Sequence, residues 1–300
     1  MDLTRIRYFL AVARRGQVTA AARELCVTQP AVSIALQRLE KEVGAALFER
    51  RAGRLSLTPA GVRFAAAAEQ ALRRLEEGRR AAVRVSEAPS GPLRLGATDV
   101  ASIHLLPDLL PEFHRIYPDV EVSIDVDSSR PLVAAVVAES LDLALATLPV
   151  DHPDVAVTAL TREPMTLVIP PTHPLARRRL TARDLEDQPF LLYRRGSTTR
   201  ALIDRELAAR RIEPRVVMET GHPEAMKRLV AAGLGIAILP KISVADEVRR
   251  KTLAVRPIPG GPLFRETGLV RRRDREPSPA GRAFLALLGR RFPQITRSAK

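Results

Sequence analysis

The chain of 300 residues has one cysteine, Cys26, so no disulfide can form within it, which fits a reducing compartment. It also lacks a long apolar run: the longest, Leu229–Pro240, falls far short of the ~20 residues a membrane helix needs. The N-terminal RIRYFLAVARR has an apolar centre too short for a secretion signal. Leu3, Ile6, Phe9, Leu10 and Ala13 fall on one helical face instead. A soluble cytoplasmic protein with no membrane partner is therefore expected. His104, His114, His152, His173 and His222 show no metal-ligand spacing with one another or with Cys26, so neither metal nor cofactor is expected. There is no Gly-x-Ser-x-Gly elbow, no P-loop and no convergent acid–base set, which argues against an enzyme.

Lysine is scarce too. Only Lys41, Lys227, Lys241, Lys251 and Lys300 stand among 48 basic residues. The net charge of +14 favours a polyanionic partner. Arginine at this level, beside abundant alanine and proline, is also what GC-rich coding produces. Location adds little: residues 1–60 carry ten basic and five acidic residues, residues 265–300 ten and three. Bulk charge supports nucleic-acid binding without locating it.

The informative stretch is residues 17–58. Gln17–Leu25 has Ala20, Ala21 and Leu25 at helical spacing, and Cys26-Val27 reads as a turn. Thr28 is a suitable N-cap, its hydroxyl accepting an orphan N–H, and Pro30 falls in the first helical turn, where its missing N–H costs nothing. Val32, Leu36, Leu39 and Val43 then form the buried stripe of a second helix, with Gln29, Ser33, Gln37, Arg38 and Lys41 opposite. With a first helix over residues 2–15, this makes a three-helix unit with Ile6, Phe9, Leu10, Ala21, Leu25, Val32, Leu36 and Leu39 as its core. Two short strands, Leu47–Arg50 and Arg54–Leu57, flank Ala52-Gly53 as a wing. Such a unit reads the major groove through the start of its second motif helix. Gln29 can bond adenine, Ser33 several bases, and Arg38 a phosphate or Glu42. Arg51 and Arg54 at the wing suit phosphate, the alternative being a solvated turn.

The run AAARELCVTQPAVSIALQRLEKEVGAALFER, followed by LSLTPAG, closely resembles the N-terminal domain of LysR-type transcriptional regulators. The pieces TQPAVS, LFER and LTPAG stand in family order and spacing. The resemblance carries over Gln29, Pro30 and Ser33 as DNA-contacting positions. Ile34 departs from it, since many relatives have a polar or basic residue there. An isoleucine can meet a thymine methyl. Cys26, in the helix–helix turn, is expected to be inert.

Thr58-Pro59 opens a long helix to about Glu87, with Phe64, Ala68, Ala71, Leu72, Leu75, Ala82 and Val83 as its apolar stripe. A narrow stripe on a long helix pairs with another helix or packs back on its own domain. The resemblance implies the first: a linker helix that makes a dimer, with dimers joining into a homotetramer. After Pro89-Ser90-Gly91-Pro92 the pattern alternates between strands and helices, as in α/β folds. Helices are expected at Ile103–Tyr117, Ser128–Glu139, Thr199–Arg210, Pro223–Ala232 and Ala280–Leu288. Separate strands are expected at Val155–Leu160 and Pro164–Ile169, among others. AAGLGIAILP and ESLDLALA match the family's wording. Gly233 and Gly235 lack the third glycine of a nucleotide loop.

The expected fold is thus an all-α winged helix-turn-helix (1–58), a linker helix (59–88), and an α/β two-lobed, periplasmic-binding-protein-like effector domain (91–300). Lobe one takes 91–162 and 266–300, lobe two 163–265. The resemblance places a small-molecule effector between the lobes, at helix N-termini. The residues there are Thr98, Asp99, Ser102, Ser128, Ser129 and Thr147 in lobe one, and Gly196, Ser197, Thr198, Gly221 and His222 in lobe two. For any one serine or threonine the alternative is a plain helix cap. Asp99 can repel a carboxylate or receive an amine, while Arg194 and Arg195 would favour an anion if they point inward. The expected partners are promoter DNA and the chain itself, with RNA polymerase a further candidate. The rival function is a solute-binding or ligand-sensing protein without sequence-specific DNA readout.

Overall fold

The computed structural model describes residues 2–51, 54–83 and 89–293, and gives the backbone alone for residues 50, 51, 54 and 76–83. The chain divides into two compact units, Met1–Glu87 and Ala88–Lys300.

The first unit begins with α1 (Leu3–Arg15), α2 (Val18–Glu24) and α3 (Gln29–Val43). Asp2 caps α1 by accepting from Thr4 N–H at 2.8 Å, and Gly16 and Gly44 end α1 and α3 in the left-handed conformation. The three apolar stripes meet in one core: Ile6, Phe9, Leu10, Ala21, Val32, Leu36 and Leu39 are buried, and Leu25 packs at its edge. The antiparallel strands β1 (Phe48–Arg51) and β2 (Arg54–Leu57) pair from Phe48↔Leu57 to Arg51↔Arg54. Glu40 of α3 aims them, its Oε1 accepting from Leu47 N–H at 2.7 Å and Phe48 N–H at 3.2 Å. The expected cap on α3 differs: Thr28 has N-cap backbone angles, but its hydroxyl makes no capping bond. Thr58 does cap, accepting from Gly61 N–H at 2.9 Å ahead of α4 (Pro59–Val83). The expected last turn of that helix, 84–87, lies outside the described residues.

The expected single stripe of α4 divides. Phe64, Ala68 and Leu72 pack into the core of their own unit, Phe64 edge-on to Phe9 at 5.2 Å. Ala71 and Leu75 stay exposed, Leu75 at 52% along with Val62 at 56%. One side of the helix thus packs back on its own unit, and another side carries exposed apolar side chains.

In the second unit, β3 (Gly91–Ala97), α5 (Asp99–His104), α6 (Leu106–Ile116), β4 (Val120–Val126), α7 (Ser129–Val137) and β5 (Leu143–Thr147) build one lobe. The long β6 (Val155–Ile169) then crosses to the other. That lobe holds β7 (Pro189–Tyr193), α8 (Thr198–Ala209), β8 (Arg215–Thr220), α9 (Pro223–Ala231), β9 (Ile236–Pro240), α10 (Ala245–Arg249) and β10 (Ala254–Arg256). β11 (Leu263–Arg272) returns along β6, and α11 (Pro279–Arg291) closes the first lobe. Among the described residues the strands run β4-β3-β5-β11-β6-β9-β7-β8, with β10 also on β6. β3 is parallel to β4 and β5, and β7 to β8 and β9; β6 and β11 are antiparallel, with a bulge at Thr267/Gly268. Each lobe has its own core, around Leu93, Phe113 and Phe284 in the first and Leu167, Phe190 and Ile238 in the second.

Two expected elements are corrected. The helix read as Ile103–Tyr117 starts earlier and breaks at Leu105, which puts Pro107 in the first turn of α6, where its missing N–H costs no bond, while Pro111 stays inside that helix. The two strands around 161–163 are one strand, whose polar middle is where the ladder passes between lobes. No described helix is long and apolar enough to cross a membrane.

Candidate nucleic-acid interface and ligand cleft

Burial of Val32, Leu36 and Leu39 fixes the rotation of α3, so Gln29, Pro30, Ile34, Gln37, Arg38 and Lys41 face outward. Gln29 Nε2 donates to Ser33 Oγ at 2.9 Å, holding amide and hydroxyl together on one turn. Ile34 beside them is 49% exposed. Glu42 pairs with Arg5 of α1, which leaves Arg38 exposed on the outer face. The turn at 52–53 and the side chains of Arg51 and Arg54 lie outside the described residues. Cys26 is exposed, at a φ of 55°, rather than packed away.

In the second unit the residues expected to hold a ligand lie at or just after strand ends and at helix starts. Ligands in open α/β sheets bind beyond the carboxyl ends of strands, and Thr98, Thr147, Tyr193 and His222 follow or end β3, β5, β7 and β8. Several hydroxyls are engaged internally. Ser102 Oγ donates to Asp99 O at 2.8 Å. Buried Ser129 Oγ accepts from Thr147 N–H at 2.9 Å. Ser197 Oγ accepts from Arg200 N–H at 3.1 Å, which makes it the cap of α8. Ser128 is exposed and bonds Asp127. Gly196 is exposed with φ 85°, and Thr198 and Gly221 are half-buried. Thr98 differs: it is buried, and its Oγ1 has no partner among the described residues. Asp99 Oδ1 stands 3.6 Å from His222 Nδ1 of the other lobe.

Arg194 and Arg195 do not supply an inward cation. Both are exposed, and Arg195 pairs with Glu219 at 3.4 Å. The buried arginine here is Arg200, held by Tyr193 O, Asp204 and Glu219, at 2.8, 2.7 and 2.8 Å. Its hydrogen bond holds the Glu219 carboxyl below the usual range. A second buried arginine, Arg265 of β11, is 2% exposed and pairs with Glu163 of β6. Glu163 Oε1 also accepts from Thr161 Oγ1 at 3.0 Å and Thr267 Oγ1 at 3.2 Å. Thr147, Thr267 and Thr161 are register partners across β5, β11 and β6, so a polar row crosses the three strands. Buried Tyr193 ends β7, and its hydroxyl has no partner among the described residues. Burial raises the phenol's pKa, and it feels the charges of Arg265, Asp99 and Glu163.

These residues carry weak local signals. Arg265 is the charged member of the alternation Leu263, Arg265, Thr267, Leu269, which is readable as an inward position only once the strand is known to be buried. Elsewhere in the second unit, burial lowers the pKa of the His104 imidazole, with Lys227 adding to the effect. Lys227 is itself buried against Ser243 O, Glu224 and Glu247. No metal-binding group of side chains occurs among the described residues.

Residues 3–62 match the family model for bacterial regulatory helix-turn-helix proteins of the lysR family, and residues 86–293 the LysR substrate binding domain. The chain is 32% identical over 297 residues to the HTH-type transcriptional regulator GltR of Bacillus subtilis (strain 168), covering 99% of each. It superposes on full-length CbnR complexed with its target DNA with a TM-score of 0.75 at 25% identity, covering 99% of this chain and 100% of that one. The effector binding domain of QuiR in complex with shikimate gives 0.62 at 25% identity, covering 68% of this chain and 98% of that one.

Proposed function

The chain belongs to the LysR family of DNA-binding transcriptional regulators, and from that premise we propose how its residues divide the work. Residues 1–58 read promoter DNA, 59–88 join two chains, and 91–300 hold an effector between lobe one (91–162, 266–300) and lobe two (163–265). The observation that carries the DNA reading is the row at the start of α3, in which Gln29 and Ile34 are exposed and half-buried Ser33 is bonded to Gln29. Gln29 and Ser33 hydrogen-bond base edges, Ile34 meets a thymine methyl, and Pro30 sets the first turn against the backbone. Arg38, with Arg51 and Arg54 of the wing, takes phosphates. The exposed Val62 and Leu75 of α4 support pairing with a second copy, and pairs of dimers form a tetramer.

The effector enters between the lobes and meets Thr98, Asp99, Ser102, Ser128, Ser129, Thr147, Gly196, Ser197, Thr198, Gly221 and His222, the unpartnered Thr98 hydroxyl foremost. It acts only through a difference in affinity between lobe arrangements. The protein works in the cytoplasm, without metal, cofactor or catalytic step, and RNA polymerase is the machinery it addresses. Footprinting on fragments of its own genome tests the reading: one protected region with interrupted dyad symmetry, retreating steeply as salt rises, is expected. Salt-sensitive coverage with no preferred site would reject it.

A further inference from the structure

We propose that Tyr193 and Arg265, with Thr98, form a subsite for the carboxylate of an amino acid, whose ammonium group is received by Asp99. The inference rests on the effector cleft read above and adds two residues and a ligand class to it. Among the buried polar atoms with no partner among the described residues are Thr98 Oγ1 of the first lobe, Tyr193 Oη of the second and Arg265 Nε of the strand joining them, and the Tyr193 phenol feels the charges of both Arg265 and Asp99. Buried polar groups are nearly always satisfied, and three orphans around one crossing call for a common partner. Arg265 Nε–H can only donate, and the hydroxyls of Thr98 and Tyr193 can each donate one hydrogen. The complement of three donors is a group of acceptors, and a carboxylate is the small one that offers several lone pairs.

Charge narrows the class. Arg265 is already neutralised by Glu163, and Thr161 and Thr267 hold that carboxylate in place. Asp99 adds a second carboxylate, near enough for its charge to act on Tyr193. With imidazoles counted as neutral, Arg265, Glu163 and Asp99 leave the site negative. A bare anion would add to that charge. A zwitterion brings its own cation: its carboxylate meets the donors, and its ammonium pairs with Asp99, competing with His222 for that oxygen.

The test is thermal shift, then calorimetric titration, of the full chain with each of the twenty protein amino acids. Each hit is repeated with its 2-oxo acid and its decarboxylated amine. One or more amino acids should raise the melting temperature while neither analogue does. Tyr193→Phe removes an oxygen that holds no partner, so the unliganded protein should melt no lower, and affinity for the hit should fall about tenfold. Asp99→Asn should erase the preference over the 2-oxo acid. No response to any amino acid, equal binding of the 2-oxo acid, or unchanged affinity in Tyr193→Phe each overturns the proposal. Thr98→Val separates the two levels. If it weakens a ligand that Tyr193→Phe leaves alone, the cleft stands and this subsite falls. If neither variant changes binding, the cleft itself has been misplaced.

Discussion

A Cβ at position 61 would lie 2.1 Å from the carbonyl oxygen of Leu47, so α4 can approach the wing only with glycine there. Alanine has the better helix propensity by about 1 kcal/mol, but backbone has little room to give. Gly61→Ala is expected to destabilise the first unit by about 1–3 kcal/mol, read as a lower melting transition; an unchanged one would mean the approach is not required. His104 makes a separate prediction. Burial lowers its pKa from the ordinary 6.5, so as pH falls below that value the unfolded chain takes up the proton before the folded one. Its contribution is therefore intact above 6.5 and is lost as pH falls through the lowered folded value. The melting temperature should drop on acidification, and the slope should be shallower in His104→Asn. An unaltered slope would place the titration elsewhere.

Among the elements, the helices of the first unit were legible because each carries a complete apolar stripe: Ile6, Phe9 and Leu10, then Val32, Leu36 and Leu39. Boundaries were less so. The break at Leu105 turns on Pro107, which stands in an otherwise helical pattern, and the unbroken β6 hides behind the polar run Thr161, Arg162, Glu163. The outward face of α3 was legible from local spacing, whereas the buried polar groups of β6 and β11 were not. Arg265 and Glu163 stand 102 residues apart in sequence, and only the pairing of β11 with β6 makes the buried charge tolerable. Glu163→Gln leaves a guanidinium buried without its counter-ion, and should cost the second unit about 3–5 kcal/mol in denaturant titration. An unchanged midpoint would show that Arg265 finds water. For α4, Leu75→Glu should turn dimers into monomers by light scattering without changing helix content. Dimers that persist would put the interface elsewhere.

At the scale of the whole molecule, the +14 charge is less of a guide to DNA than its size suggests. Part of the basic C-terminal stretch holds lobe one together. Arg272 donates to Val137 O at 2.7 Å, Arg273 to Pro153 O and Val155 O at 3.0 and 2.8 Å, and Arg275 to Glu139 at 2.9 Å. Residues 294–300 lie outside the described residues. What separates a regulator from a merely basic protein is therefore selectivity, which the proposed function assigns to a few neutral side chains on α3. The most direct measurement is fluorescence anisotropy of the full chain on its footprinted operator and on a scrambled duplex, at two salt concentrations, for the wild type and Gln29→Ala. The wild type should prefer the operator at both salts. Gln29→Ala should lose about ten- to a hundredfold on the operator alone, with the scrambled affinity and salt slope unchanged. An equal loss on both duplexes, or none on either, would contradict the assignment of sequence readout to the start of α3.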